Sequence, residues 1–226
     1  MKKIIKSCGP DIKRRILTEG INYFTTSKKS IWGKGDKETL ELLEKEEING
    51  KWLNLAAGDG RYNLNLLKKA DFVVASDIDK SALSKLYHTT PKKFSIKLDI
   101  KVFDITKKFP FNDASFDGIF CAGFLHLFPK NIFRRIFLEM GRILKPNGKI
   151  IIDFATDIKR VSPDGKLIVF GDEPQYSLEE AKELLKETFR QYKIRIQELQ
   201  VFEEEFKAAN SPYKFSCKGV LLVAER

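Results

Sequence analysis

From about residue 36 onward the chain alternates short apolar runs with amphipathic segments. Lys51–Ala56 predicts a buried strand, Arg61–Lys69 a helix with Leu64 and Leu67 on one face, and Phe72–Ser76 (FVVAS) a second strand. Lys80–Tyr87 reads as a helix, Ile96–Phe103 alternates as a strand does, Phe116–Ala122 (FDGIFCA) is a strand and Asn131–Leu144 a helix. Pro146-Asn147-Gly148 marks a turn before the apolar strand Lys149–Phe154. Upstream, Lys37–Glu47 has helical spacing with Asp36 as its expected N-cap and Asn49-Gly50 as its stop. Strands alternating with helices imply right-handed crossovers and a parallel sheet covered on both faces.

The last third changes rhythm. Val161–Phe170 reads as a hairpin turning at Pro163-Asp164-Gly165, and Ser177 with Glu180 predicts a capping box on a helix running to Phe189. Strands near Tyr192–Phe202 and Phe215–Ala224 follow, giving about seven in all. The expected fold is therefore α/β: a doubly wound, mostly parallel seven-stranded sheet with helices on both faces and an antiparallel C-terminal strand. Residues 10–30 read as a short helix and a polar, basic loop. This divides the chain into an arm, 1–35, and a domain, 36–226.

Composition narrows the class. Of 226 residues, 42% are hydrophobic and 18 are Phe, enough for a full core in one large domain. Three scattered cysteines and two histidines, without a CxxC, argue against a disulfide framework and against a metal site. No run approaches the ~20 apolar residues that span a bilayer, and no signal-peptide core follows the basic start, so a cytoplasmic protein without membrane contact is expected. The net charge is +10, and residues 1–35 hold nine basic against two acidic side chains, a local +7. A basic arm of this kind suits a solvated surface, and it also leaves contact with RNA or protein open.

The candidate chemistry lies at strand ends. The first strand runs into Asn54-Leu55-Ala56-Ala57-Gly58-Asp59-Gly60, a glycine turn that lets backbone approach a ligand. Asp77 follows the second strand, where a carboxylate can accept two ribose hydroxyls, while Asp79 suits the cap of the next helix. Asp104 ends the third strand beside Ile105, and together they can read an adenine edge. A dinucleotide fingerprint starting at Gly58 requires Gly or Ala where Asn63 stands, which disfavours a nicotinamide enzyme.

The stretch from Lys51 to Phe154 resembles the core of class I S-adenosylmethionine-dependent methyltransferases. The resemblance is carried by NLAAGDGRY (54–62), SDIDKSAL (76–83), FDITKKFPFNDASFDGIFCAGFLHLF (103–128) and RILKPNGKIIIDF (142–154). It implies S-adenosylmethionine as cofactor. Gly58 and Gly60 would lie against its methionine part, Asp77 would hold the ribose with Ile78 beside the adenine, and Asp104 and Ile105 would read the adenine edge. The carbonyls of Cys121 and Ala122 would receive its amino group. Asn54 stands where the family usually has an acid, and Ala56 where it usually has the first glycine. His126, in GFLHLF, falls where a general base would stand, and equally suits packing. Tyr23, Trp32 and Phe124 are candidate substrate contacts. The form of the fourth strand end resembles enzymes acting on small molecules, with an RNA or protein acceptor, or an inactive cofactor-binding subunit, as alternatives.

Overall fold

The structure is a computed structural model; it describes residues 3–6, 22–170, 173–206 and 213–226. Strand β2 (Lys51–Leu55) starts the parallel sheet, followed by helix α2 (Asn63–Lys69), β3 (Phe72–Asp77), α3 (Lys80–Thr89), the single turn α4 (Lys92–Ser95) and β4 (Leu98–Val102). The chain then returns across β2 to β5 (Phe116–Cys121), α5 (Lys130–Ile143) and the long β6 (Leu144–Val161). Helix α6 (Leu178–Thr188), β8 (Lys193–Phe206) and β9 (Tyr213–Glu225) complete it, with α1 (Lys37–Lys45) ahead of β2. The main sheet runs β4-β3-β2-β5-β6-β9-β8; β9 lies antiparallel to both of its neighbours. Because the chain leaves β2 toward β3 and later re-enters beside it as β5, a crevice opens at the carboxyl ends of these strands.

Two strands lie outside the seven expected. Strand β7 (Leu167–Phe170) pairs antiparallel with the far end of β6 as the hairpin turned by Pro163-Asp164-Gly165, and β1 (Lys3–Lys6) pairs parallel with β7. The short helix and basic loop expected over residues 10–30 lie outside the described residues up to position 21. Beyond that there is one 3₁₀ turn, Tyr23–Thr25, capped by the Asn22 side chain.

Burial follows the apolar periodicity. On α5, Phe133, Ile136, Met140 and Ile143 form the inward stripe, and the Ser177–Glu180 capping box starts α6. On α2 the buried pair is Leu66 and Leu67, while Leu64 is exposed, because the helix starts at Asn63 and its phase differs from the expected one. The phenylalanines go mainly into the core: Phe109, Phe116, Phe120, Phe128, Phe133, Phe154 and Phe189 are almost fully buried. Pro146-Asn147-Gly148 does not separate two elements. It is an irregularity within β6, with Asn147 at φ 63° and a register shift against β5. Asp36 precedes α1 but makes no capping hydrogen bond; its carboxylate accepts from the Tyr62 hydroxyl at 2.7 Å and engages Asp153.

Candidate active site

The crevice is lined by Leu55, Ala56, Ser76, Asp77, Ile78, Phe103, Asp104, Ile105 and Phe124. These come from the carboxyl ends of β2, β3 and β4 and the loop after β5, so the sequence-derived turns converge on one cleft. The glycine turn reverses through left-handed backbone: φ is 56° at Ala56, 53° at Gly58 and 96° at Gly60. Gly60 has a packing reason as well, since a Cβ there would stand 3.0 Å from Leu86 of α3. Ala56 lacks glycine's freedom at its angle, and a left-handed L-residue costs roughly 1–2 kcal/mol.

Asp77 is held on both oxygens. Oδ2 accepts from the Gly58 N–H at 2.8 Å and Oδ1 from the Asp79 N–H at 2.9 Å. Each carboxylate oxygen has a second lone pair, so two acceptor positions remain for ribose hydroxyls. Burial pushes the Asp77 carboxyl above its ordinary range, against the backbone N–H donors of Asp79, Gly58 and Ile78 that pull it down. Asp79 caps α3 as expected, accepting from Ser81 and Ala82. Asp104 closes an Asx turn with one oxygen, on the Thr106 N–H and hydroxyl, and its other oxygen accepts from no described residue. The Ile105 N–H likewise donates to no described residue. A free acceptor beside a free donor is the pattern an adenine edge requires, so the donor set fits the adenosine part of S-adenosylmethionine.

Other expected residues lie elsewhere. Asn54 points to the opposite face of the sheet, where its amide donates to Asn63 at 3.1 Å, so it braces the turn from beneath. Cys121 is fully buried at the end of β5, and burial pushes its thiol far up; Ala122 follows it, half-buried. His126 sits in a 3₁₀ turn, Leu125–Leu127, only 5% exposed and outside the cleft lining. Burial, helped by the positive charge of Arg160, pushes it down to about 3, so its imidazole is neutral and a weak base. Its ring meets Phe154 edge-on at 6.2 Å, which makes it a packing residue. Tyr23 is buried away from the cleft, with the Lys85 ammonium 5.7 Å from its ring. Trp32 does reach the glycine turn: its indole lies against Gly58, 3.5 Å from where a Cβ would stand, and it packs against the cluster of Ile168 and Tyr213, as does Phe215. Among the described residues there is no metal-binding cluster and no helix long and apolar enough to cross a membrane.

One part of the site was not expected from sequence. Asp59, between the two glycines, accepts from the Ser30 hydroxyl, the Ile31 N–H and the Lys85 ammonium, at 2.6, 2.8 and 2.7 Å. Lys85 also donates to the Lys29 carbonyl. The available signal was a lysine on the inward stripe of α3, beside the buried Ala82 and Leu86.

Comparison with known proteins agrees with this geometry. Residues 53–152 match the family model described as a methyltransferase domain. No curated protein sequence matches the chain. Among solved structures, a complex of DhpI with S-adenosylhomocysteine is 21% identical, covering 79% of this chain and 80% of that one at a TM-score of 0.56. The YcgJ protein of Bacillus subtilis is 15% identical over 84% of this chain and 98% of that one, at 0.58. The Burkholderia thailandensis 1,6-didemethyltoxoflavin-N1-methyltransferase, with 1,6-didemethyltoxoflavin and S-adenosylhomocysteine bound, is 15% identical over 84% of this chain and 77% of that one, at 0.54. Residues 53–152 are thus similar to a methyltransferase domain, and the sheet built around them has the fold of S-adenosylmethionine-dependent methyltransferases.

Proposed function

We propose that the chain transfers the methyl group of S-adenosylmethionine to a small-molecule acceptor that enters beneath residues 22–36. The convergence of the three strand ends supports the cofactor half, and the Asp77 bridge to the Gly58 N–H is the observation that carries it. In this reading Gly58 and Gly60 meet the methionine part, Asp77 the ribose, Ile78 the adenine face, and Asp104 and Ile105 its edge. The carbonyls of Cys121 and Ala122 receive the amino group. Ala56 borders the cofactor, and Asn54 supports it only through Asn63. The cofactor supplies a sulfonium-activated methyl, so the protein's task is alignment and exclusion of water. His126 has no part as a base.

The acceptor half rests on the cover. Trp32 lies across the glycine turn and continues into the Ile168, Tyr213 and Phe215 cluster, so the side of the site away from the adenine is roofed. Phe124 borders the cleft beneath it. A roofed, aromatic mouth suits a small acceptor better than a nucleic-acid strand. The test is transfer of tritiated methyl to a cell extract separated into small-molecule, RNA and protein pools. Label in the small-molecule pool is expected. Label confined to RNA, lost with Lys13, Arg14 and Arg15 and weakened by salt, would replace this acceptor class.

A further inference from the structure

The glycine turn is gripped residue by residue. Gly58 carries the Trp32 indole on one side and the Asp77 carboxylate on its N–H. Gly60 rests on Leu86. Between them Asp59 is turned out of the cleft into a dry site: its side chain is 0% exposed and that of Lys85 5%. An ion pair this deep is retained only where hydrogen bonds satisfy both charges. Here they do, and most of the partners come from the segment ahead of the domain: the Lys29 carbonyl on Lys85, the Ser30 hydroxyl and the Ile31 N–H on Asp59. Undocking that segment would strip both charges of these partners. Moving the turn would break the same bonds.

We propose that Lys85 is a positioning residue for the cofactor. By pairing with Asp59 and holding the Lys29 carbonyl, it makes the docked segment 22–36 and the ligand-ready glycine turn a single arrangement. Cofactor affinity and segment docking are then reciprocally coupled, since a ligand that favours the ordered turn favours the docked segment equally. The proposal rests on the reading that the turn binds S-adenosylmethionine.

The structure supplies its own reporter, because the trypsin-sensitive bond after Lys29 lies inside the latch and the Lys29 side chain is exposed. The experiment measures S-adenosylhomocysteine binding by calorimetry and cleavage at Lys29–Ser30 by mass spectrometry, with and without that ligand. Its variants are Asp59→Asn/Lys85→Met, which leaves no buried charge unpaired, and Lys85→Arg, which keeps the pair. In the unaltered protein the ligand should slow cleavage. In the double variant cleavage should be about tenfold faster, affinity about tenfold weaker, within the usual range of coupling, and ligand protection lost. Lys85→Arg should restore most of the affinity. Ser30→Ala, which spares the fold most, should shift both readouts a few-fold in the same direction. Faster cleavage with unchanged affinity would overturn the coupling, as would equal losses in Lys85→Arg and the double variant. Failure of the unaltered protein to bind the ligand would instead overturn the cofactor reading beneath it.

Discussion

The two halves of the site are built by different rules. The proposed adenosine side is assembled from strand ends in a parallel sheet, where β2, β3 and β4 pair in register and deliver Gly58, Asp77 and Asp104 to one edge. Its decisive bonds are local, such as Asp104 to Thr106 and Asp77 to Asp79, or join adjacent strand ends, as in Asp77 to Gly58. The roof is assembled from contacts between segments distant in sequence: Ser30 and Ile31 with Asp59, Lys29 with Lys85, Trp32 with the Ile168 and Tyr213 cluster. The first half is a property of the fold, whereas the second depends on one buried ion pair and a cluster of rings. The two should therefore fail separately under substitution.

The largest expected effect falls on the roof. Lys85→Met alone leaves the Asp59 charge buried with only its Ser30 and Ile31 donors, and breaking such a pair costs about 3 kcal/mol or more. Urea denaturation should show this loss. A loss below about 0.5 kcal/mol would mean the pair contributes nothing that solvent does not. On the adenosine side, Asp77→Ala removes the carboxylate that accepts from the Gly58 N–H and that we propose holds the ribose. Loss of charge-assisted hydrogen bonds predicts roughly 1.5–3 kcal/mol in S-adenosylhomocysteine affinity. Asp79→Ala removes only the α3 cap, about 1 kcal/mol of stability, with little change in binding. Equal losses of affinity at both positions would show the ribose to be misplaced.

His126 sharpens the contrast, because the core behind the site carries a pH dependence that the cofactor residues do not explain. Its folded value is pushed from 6.5 down to about 3. Between those limits the unfolded chain binds a proton that the folded chain refuses, so stability falls as pH falls, by up to about 1.4 kcal/mol per pH unit. His126→Phe should remove that slope and gain about 2 kcal/mol on the unaltered protein between pH 7 and pH 5. Parallel stability curves for the two proteins would contradict the buried, neutral histidine. Loss of methyl transfer in a stable His126→Phe variant would make it a base after all. The smallest effect is at Ala56, whose φ of 56° suits glycine. Ala56→Gly should stabilise the fold by about 0.5 kcal/mol, the left-handed cost less glycine's entropy, measured by thermal melting. Destabilisation there would mean that the methyl group packs better than the angle implies.

What the sequence made legible follows the same division. The order of elements, the meeting of Asp77 and Asp104 at one cleft and the Asp79 cap were readable, because turn chemistry and apolar period are local signals. The grip on Asp59 was not, since nothing near Asp59 names Lys85 or Ser30 as its partner. Trp32 lies against Gly58, whereas the Tyr23 ring is taken up by α3 and Lys85, a contact set by where the segment 22–36 docks. Asp36 looked like a cap because of its position ahead of α1, and tertiary contacts with Tyr62 and Asp153 took its carboxylate instead. The long β6 hid its irregularity, because Pro146-Asn147-Gly148 reads as a turn whether the chain reverses or merely shifts register.

The central claim is that the three strand ends form a site for S-adenosylmethionine, and calorimetry with S-adenosylhomocysteine and NAD tests it most directly. S-adenosylhomocysteine should bind at micromolar strength or better, about −8 kcal/mol, and NAD should give no measurable heat. Preference for NAD, or no binding of S-adenosylhomocysteine by the folded protein, would contradict it.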